Sequence, residues 1–346
     1  MVSKQSHRKD EHISLAEHFY EDNHSDFNDI RLVPTSLPHF NVDDVDISSE
    51  ISDLKFKVPF FINAITGGSE QSTKINQRLA KIAANTGLAM AVGSQSIAIS
   101  DPTQEASFSV VRENNPNGIV IANIGANHGA DVANKAVEMI NADALQVHIN
   151  AAQELVMPEG DREFNFIDNI KNIIDEVSVP VIVKEVGFGM SQQTITELTQ
   201  LGVKIVDVSG MGGTNFAKIE NFRRSDKAMP YMADWGLTTP ESLLEASPIN
   251  LDIDVIASGG VKNPLDMAKC FSLGAKLVGM SGEFLHQLLT YPEDETVVQH
   301  VNDWIYGLKT IMVLTNSQKI SDLTKVDQIL SPQLTAYKKQ RGSGLF

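Results

Sequence analysis

Eight short apolar runs, each followed by a polar turn and then by an amphipathic stretch, predict an α/β chain closed into a single (β/α)8 TIM barrel. The runs cover residues 60–64, 88–92, 119–122, 144–148, 181–184, 205–208, 255–257 and 277–280. Several are rich in Val and Ile and apolar throughout, as strands buried on both faces are. Helical spacing of apolar residues falls between them, at 71–85, 130–140, 166–177, 192–201 and 264–273. An open doubly wound sheet is the alternative, because counting strands does not establish closure.

The chain has 346 residues, 42% hydrophobic and 21% charged, enough to bury one large core. The barrel is expected over residues 56–292. Residues 1–55 read as an acidic, partly irregular extension, and residues 293–346 as helices followed by a Lys/Arg/Gly tail; both extensions are expected to pack on the barrel or on another subunit. A net charge of −16 argues against a protein that coats nucleic acid or an anionic membrane, so any anionic ligand must meet a local cationic site. The single cysteine, Cys270, excludes an intrachain disulfide framework and a multi-cysteine metal cluster. The absence of a long apolar window, and the polar stretch around Lys4, Arg8 and Lys9, lead us to expect a cytoplasmic protein.

In this fold the active site lies at the C-terminal ends of the strands, and here those ends are rich in glycine and polar residues. They read Ala64-Ile65-Thr66-Gly67-Gly68, Gly93-Ser94-Gln95, Ala122-Asn123, His148-Ile149-Asn150 with Gln153-Glu154, Lys184, and Ser209-Gly210-Met211-Gly212-Gly213-Thr214. The last two give Ser258-Gly259-Gly260 and Gly279-Met280-Ser281-Gly282. Each of these is a turn before a helix, where backbone N–H groups and a positive helix end suit a phosphate. Lys184 ends an apolar strand, where an ammonium is costly to desolvate unless it meets an anion or an electron-rich ring; a Schiff base is the other functional reading, and a surface lysine at a frayed strand end the non-functional one. Glu154 is one hard oxygen ligand, suited to Mg2+ shared with ligand phosphates. Asp207 reads as an internal hydrogen-bonding group, and Phe216 as either core or a ligand-facing ring.

Taken together these residues resemble the type 2 isopentenyl diphosphate isomerases, FMN-dependent barrel enzymes. The likeness runs from Arg8-Lys9-Asp10-Glu11-His12 to Gly279-Met280-Ser281. It is carried best by Ile62-Asn63-Ala64-Ile65-Thr66-Gly67-Gly68, Gln146-Val147-His148-Ile149-Asn150, Val183-Lys184-Glu185-Val186-Gly187-Phe188-Gly189 and Gly212-Gly213-Thr214-Asn215-Phe216. The resemblance implies that FMN meets Ala64, Ile65, Thr66, Gly67, Ser94, Asn123, Lys184, Ser209 and Thr214, with its phosphate on Gly259, Gly260, Met280 and Ser281. It implies a substrate held by Arg8, Lys9, His148, Asn150 and Gln153, and Mg2+ held by Glu154 against the diphosphate. The N-terminal Arg-Lys pair becomes a cationic flap rather than a charged tail. Two departures stand out. Many relatives carry Arg two positions after the serine matching Ser94, where this chain has Ser96, leaving Lys218, Arg223 or Arg224 to compensate; many also carry Trp where Phe216 stands.

The implied reaction converts isopentenyl diphosphate to dimethylallyl diphosphate by a 1,3 proton shift on reduced FMN, with NADPH as reductant and no net electron transfer. Gln153, His148 and Lys184 are the candidate catalytic residues. A homo-oligomer, tetramer or octamer, is implied too. The alternative on the same barrel is an FMN-dependent oxidoreductase of the 2-hydroxyacid oxidase or dihydroorotate dehydrogenase type.

Overall fold

The computed structural model describes residues 4–20, 25–247 and 252–342. Eight parallel strands, β1 (Phe60–Ile62), β2 (Ala89–Ala91), β3 (Val120–Gly125), β4 (Ala144–His148), β5 (Val181–Lys184), β6 (Ile205–Asp207), β7 (Asp254–Ser258) and β8 (Leu277–Met280), form a closed barrel. Closure is made by β8 pairing with β1, in the register Val278 to Phe60, Gly279 to Phe61 and Met280 to Ile62. That pairing removes the open-sheet alternative.

The intervening helices begin and end where local chemistry dictates. Ser69 caps the helix Glu70–Thr86 by accepting from the Ser72 N–H at 3.0 Å, and Gly87 ends it at φ 75°. Asn263 accepts from the N–H groups of Leu265 and Asp266 at the start of Pro264–Ser272, and the proline occupies a first-turn position that needs no N–H partner.

Alternation along the strands splits the barrel interior into two layers. The lower one is apolar: Phe61, Ala89, Ala91, Ile121, Ala144, Ile182, Ile205, Ile256 and Leu277 pack with Ile51 and Phe56. The last two come from a hairpin, Ser49–Ile51 with Leu54–Phe56, that plugs the N-terminal end. Two residues further along, the inward positions of most strands turn polar, with Asn63, Asn123, Gln146, Lys184, Asp207 and Ser258 all buried. The intervening residues, such as Phe60, Met90, Val120 and Val206, face the helices.

The extensions join each other. Ile30–Leu32 pairs antiparallel with Gln328–Leu330, and the 21-residue helix Asp294–Leu314 buries Val297, Val301, Leu308 and Met312 along one face. Among the described residues the N-terminal extension begins with a 15-residue helix, α1 (Lys4–His18), in a stretch read from sequence as partly irregular. Its Ile13 is buried, and α1 crosses the C-terminal mouth of the barrel. The basic tail is helical through Gly342, and residues 343–346 lie outside the described ones. Among the described residues no helix is long and apolar enough to cross a membrane.

Candidate active site

A cavity of about 930 Å³ occupies the mouth, walled by the strand ends below and by Arg8, Lys9, His12, Ile13 and Ala16 of α1 above. Its size suits a cofactor and a small substrate together. It gathers Ala64, Ile65, Thr66, Ser94, Asn123, His148, Asn150, Gln153, Glu154, Lys184, Ser209, Thr214, Gly259, Gly260, Met280 and Ser281, as well as Arg8 and Lys9. Gly67 is the exception. It does not line the cavity, and an added Cβ would sit 2.0 Å from the Phe108 ring, so close packing under the β1 turn leaves room for glycine alone.

The β7 and β8 turns converge on one side. Gly259 and Gly260 both have positive φ, 97° and 73°, and an added Cβ on Gly259 would meet the Gly210 carbonyl at 2.0 Å. Ser281 precedes the helix Gly282–Thr290, and its side chain makes no cap to that helix. The chemistry of this edge, backbone donors with a helix start, fits a phosphate.

Across the mouth stand His148, at the end of β4, and α2 (Ala151–Val156), which carries Gln153 and Glu154. Burial foremost, then Lys9, Lys184 and His128, hold the His148 imidazole down at about 3, so it is neutral near neutral pH. Asn123 donates from Nδ2 to Gln146 Oε1 at 3.3 Å, which turns its Oδ1 toward His148 Nδ1 at 2.8 Å. That network assigns the proton to Nδ1 and leaves Nε2 as an acceptor. Glu154 accepts from Asn150 Nδ2 and from the Asp161 N–H, both at 2.8 Å. Among the described residues no group of three His, Cys, Asp or Glu side chains could hold a metal, so a cation here would take Glu154 together with ligand oxygens and water.

On the α1 side, the Nε of Arg8 is buried without a hydrogen-bond partner among the described residues, as a donor awaiting an anion would be. Burial, then Arg8, lower the Lys9 ammonium to about 8.

One residue that the sequence did not single out for the site completes it. Glu220, on α3 (Phe216–Arg223), is fully buried; His12 Nε2 lies 2.9 Å from its Oε1, Gln153 Nε2 donates to Oε1 at 3.2 Å, and Arg223 binds Oε2. Burial opposes ionisation of Glu220, yet His12, Arg223 and Gln153 hold its carboxyl below the usual range. Arg223 also reaches Glu11 and Glu159, tying α1 down. Phe216 faces the cavity, edge-on to His12 at 5.9 Å. Of the three cations considered as substitutes for a missing arginine, Lys218 lines the cavity, while Arg223 serves the glutamates and Arg224 pairs with Asp226. Ser96 instead contacts His128 Nε2 at 2.9 Å and Ser94 Oγ at 3.1 Å.

Residues 112–329 match the FMN-dependent dehydrogenase family. The chain is 49% identical to an isopentenyl-diphosphate delta-isomerase of Latilactobacillus sakei subsp. sakei (strain 23K), over 98% of this chain and 97% of that protein. It is 48% identical to one of Staphylococcus saprophyticus subsp. saprophyticus, over 98% of each. Among solved structures, a flavocytochrome b2 variant with pyruvate bound aligns at a TM-score of 0.63 and 20% identity, over 100% of this chain and 82% of that one. A mandelate oxidase variant aligns at 0.62 and 13% identity, over 88% and 89%. These two share the fold.

Proposed function

From the premise that the chain belongs to the isopentenyl-diphosphate delta-isomerase family, built on an FMN-dependent dehydrogenase barrel, we propose that it shifts the double bond of isopentenyl diphosphate to give dimethylallyl diphosphate on reduced FMN with Mg2+. The observation that carries this reading is the presence of two separate anion-handling edges in one cavity. The glycine turns of β7 and β8 form one, and Arg8, Lys9 and Glu154 form the other, with Gln153 and His148 beside it.

An unactivated alkene is a very weak base, so its protonation needs a well-placed acid and stabilisation of a tertiary cation. Reduced FMN, when bound, supplies an electron-rich ring and an exchangeable proton at that place. The glycine turns and Ser281 hold its phosphate, and the Lys184 ammonium, which donates to the Glu185 carbonyl at 2.7 Å and Ser209 Oγ at 3.2 Å, balances negative charge on the ring. Arg8 and Lys9 grip the substrate diphosphate, and Glu154 holds Mg2+ against it. His148, being neutral, accepts a hydrogen bond at Nε2 and does no acid work near neutral pH. The buried Glu220 carboxylate orients the Gln153 amide by taking its Nε2–H, which leaves the amide oxygen for the hydrocarbon side of the site. Closure of α1, fastened through Arg223, keeps water from the cation. NADPH would serve as the reductant that prepares the flavin, and the assembly would be a homo-oligomer in the cytoplasm.

The deciding experiment is an anaerobic assay of the purified protein with isopentenyl diphosphate, with and without prior flavin reduction and Mg2+. Dimethylallyl diphosphate is expected only when both are supplied. Turnover by flavin-free protein would sink the reading, and bleaching of oxidised flavin by lactate would replace it with hydroxyacid oxidation. Against the latter, Arg8 is the one arginine lining the cavity among the described residues, and the late strand β7 ends in Ser258-Gly259-Gly260, which supplies neither a histidine base nor a cation to clamp a carboxylate.

A further inference from the structure

Below the cavity floor, the upper layer of the barrel is a connected polar network. Gln146 Nε2 donates to Asn63 Oδ1 at 2.8 Å, and Asn63 Nδ2 donates to Asp207 Oδ2 at 2.8 Å. Ser258 Oγ donates to Asp207 Oδ1 at 2.6 Å. Asp207 has no exposure to solvent, and Lys184 Nζ stands 3.8 Å from its Oδ2. A carboxylate buried this deeply is costly, and replacing a buried ion pair with apolar side chains is often neutral or stabilising, so filling the barrel does not account for it.

A second observation concerns Ser209, which has a φ of 36°, in the left-handed region that a residue with a Cβ rarely enters. Asp207 Oδ1 accepts the Ser209 N–H at 3.2 Å, and the Ser209 hydroxyl in turn accepts from Lys184 Nζ. Strained backbone of this kind persists where its surroundings over-determine it, and it clusters at functional sites. Besides Asn63 and Ser258, Asp207 therefore reaches Lys184 through one oxygen and Ser209 through the other, both of them on the cavity floor.

We propose that Asp207 is the positioning residue of the cofactor half of the site: its charge anchors the Lys184 ammonium, and its other oxygen locks the Ser209 turn, so that one fixed cation faces the flavin ring. This rests on the reading of the cavity as an FMN site. The role differs from simple charge balance. Deleting the carboxylate makes the floor more positive, which by itself would favour an anionic ring; positioning requires that ring binding weaken all the same.

The test moves the charge and keeps the hydrogen bonds. In the double variant Asn63→Asp with Asp207→Asn, the amide introduced at 207 donates to the carboxylate introduced at 63. That carboxylate still accepts from Gln146 and from the Ala64 N–H, and the amide oxygen at 207 still accepts from Ser258 and Ser209. Every bond keeps a donor and an acceptor, while the negative charge leaves β6 for β1. The readouts are the dissociation constant of the flavin-free protein for FMN, followed by quenching of flavin fluorescence, and the pH at which the spectrum of the bound reduced flavin changes to its anionic form. We expect FMN to bind at least tenfold more weakly in the exchanged variant, and the spectral change to move up by about one pH unit, with the melting temperature of the flavin-free protein within a few degrees of wild type. Wild-type affinity and an unmoved spectrum in the exchanged variant would overturn the proposal. Should that variant fail to fold, Asp207→Asn alone and Ser258→Ala, which frees one side of Asp207 without touching Lys184, decide the question. FMN affinity unchanged in both overturns it, and a loss graded from the second to the first supports it. Failure of the wild-type protein to bind FMN would strike the cofactor reading itself, and so is told apart from failure of the role given to Asp207.

Discussion

Lys9 offers a prediction whose size follows from the geometry. It lies on α1 over the cavity, partly exposed, and burial and the neighbouring Arg8 bring its ammonium down to about 8. A diphosphate seated between Arg8 and Lys9 places an opposite charge against the ammonium and raises its pKa in the complex. Substrate binding above pH 8 must therefore take up a proton. In the free protein Lys9 goes from about nine-tenths charged at pH 7 to about one-tenth at pH 9, while in the complex it stays charged, so apparent affinity falls about tenfold across that interval. The diphosphate contributes no competing break there, because a phosphate's second ionisation lies near pH 6.

The sign is fixed: affinity is full below pH 8 and declines as pH rises through it. Lys9→Arg carries a group that stays protonated throughout, so its profile is expected to be flat where the wild type bends, even if the arginine fits less well at pH 7. The measurement is the initial rate of anaerobic isomerisation with reduced FMN and saturating Mg2+, from pH 6.5 to 9.5. KM is expected to carry the break, and kcat to stay level, since the complex is charged at both ends of the range. Parallel KM profiles for the two proteins would refute the contact between Lys9 and the substrate.

Two further outcomes follow from single side chains. Glu154→Ala should abolish most activity at limiting Mg2+ and leave the flavin absorbance of the holoprotein intact; unchanged activity there would remove Glu154 from the metal. Gly259→Ala places a Cβ 2.0 Å from the Gly210 carbonyl at a φ of 97°, where even an unobstructed alanine pays about 1–2 kcal/mol. FMN affinity is expected to fall at least a hundredfold with the circular dichroism of the barrel retained, and tight FMN binding by this variant would separate the β7 turn from the phosphate.

The barrel was legible because its strands are buried on both faces, so each is a mostly apolar run with a polar end that marks the mouth. The glycine turns of β7 and β8 were legible as turns before helices, and the fold adds a packing reason for them, since an added Cβ on Gly259 would meet the Gly210 carbonyl and one on Gly279 the Asn63 amide. Residues 4–18 hid a helix because their apolar content is thin, with Ile13 buried and Ala16 half-buried among charged neighbours. The Asn63–Asp207 contact joins residues 144 positions apart, and no local pattern announces it. His12 and Glu220 are likewise neighbours only once α1 lies across the mouth. At Gly67 the fold adds a constraint that the motif does not announce, the room needed for the Phe108 ring.

The match to the FMN-dependent dehydrogenases covers residues 112–329, which takes in Lys184, Asp207, Ser209 and both glycine turns but stops short of α1. The matched span thus takes in residues from both sides of the cavity, His148, Gln153 and Glu154 among them, while Ala64, Ile65, Thr66 and Ser94 precede it. Arg8 and Lys9 lie outside it, on a helix held by Glu11–Arg223 and His12–Glu220 contacts. A barrel that presents an electron-rich ring at its mouth can serve hydride transfer or proton transfer, because the ring's environment is common to both. The choice between them then falls to what is admitted above the ring. Under the proposed function, a diphosphate anchored by α1 and Glu154 would bring an alkene with no oxidisable C–H beside a hydroxyl, and the chemistry left for the ring would be the movement of a proton.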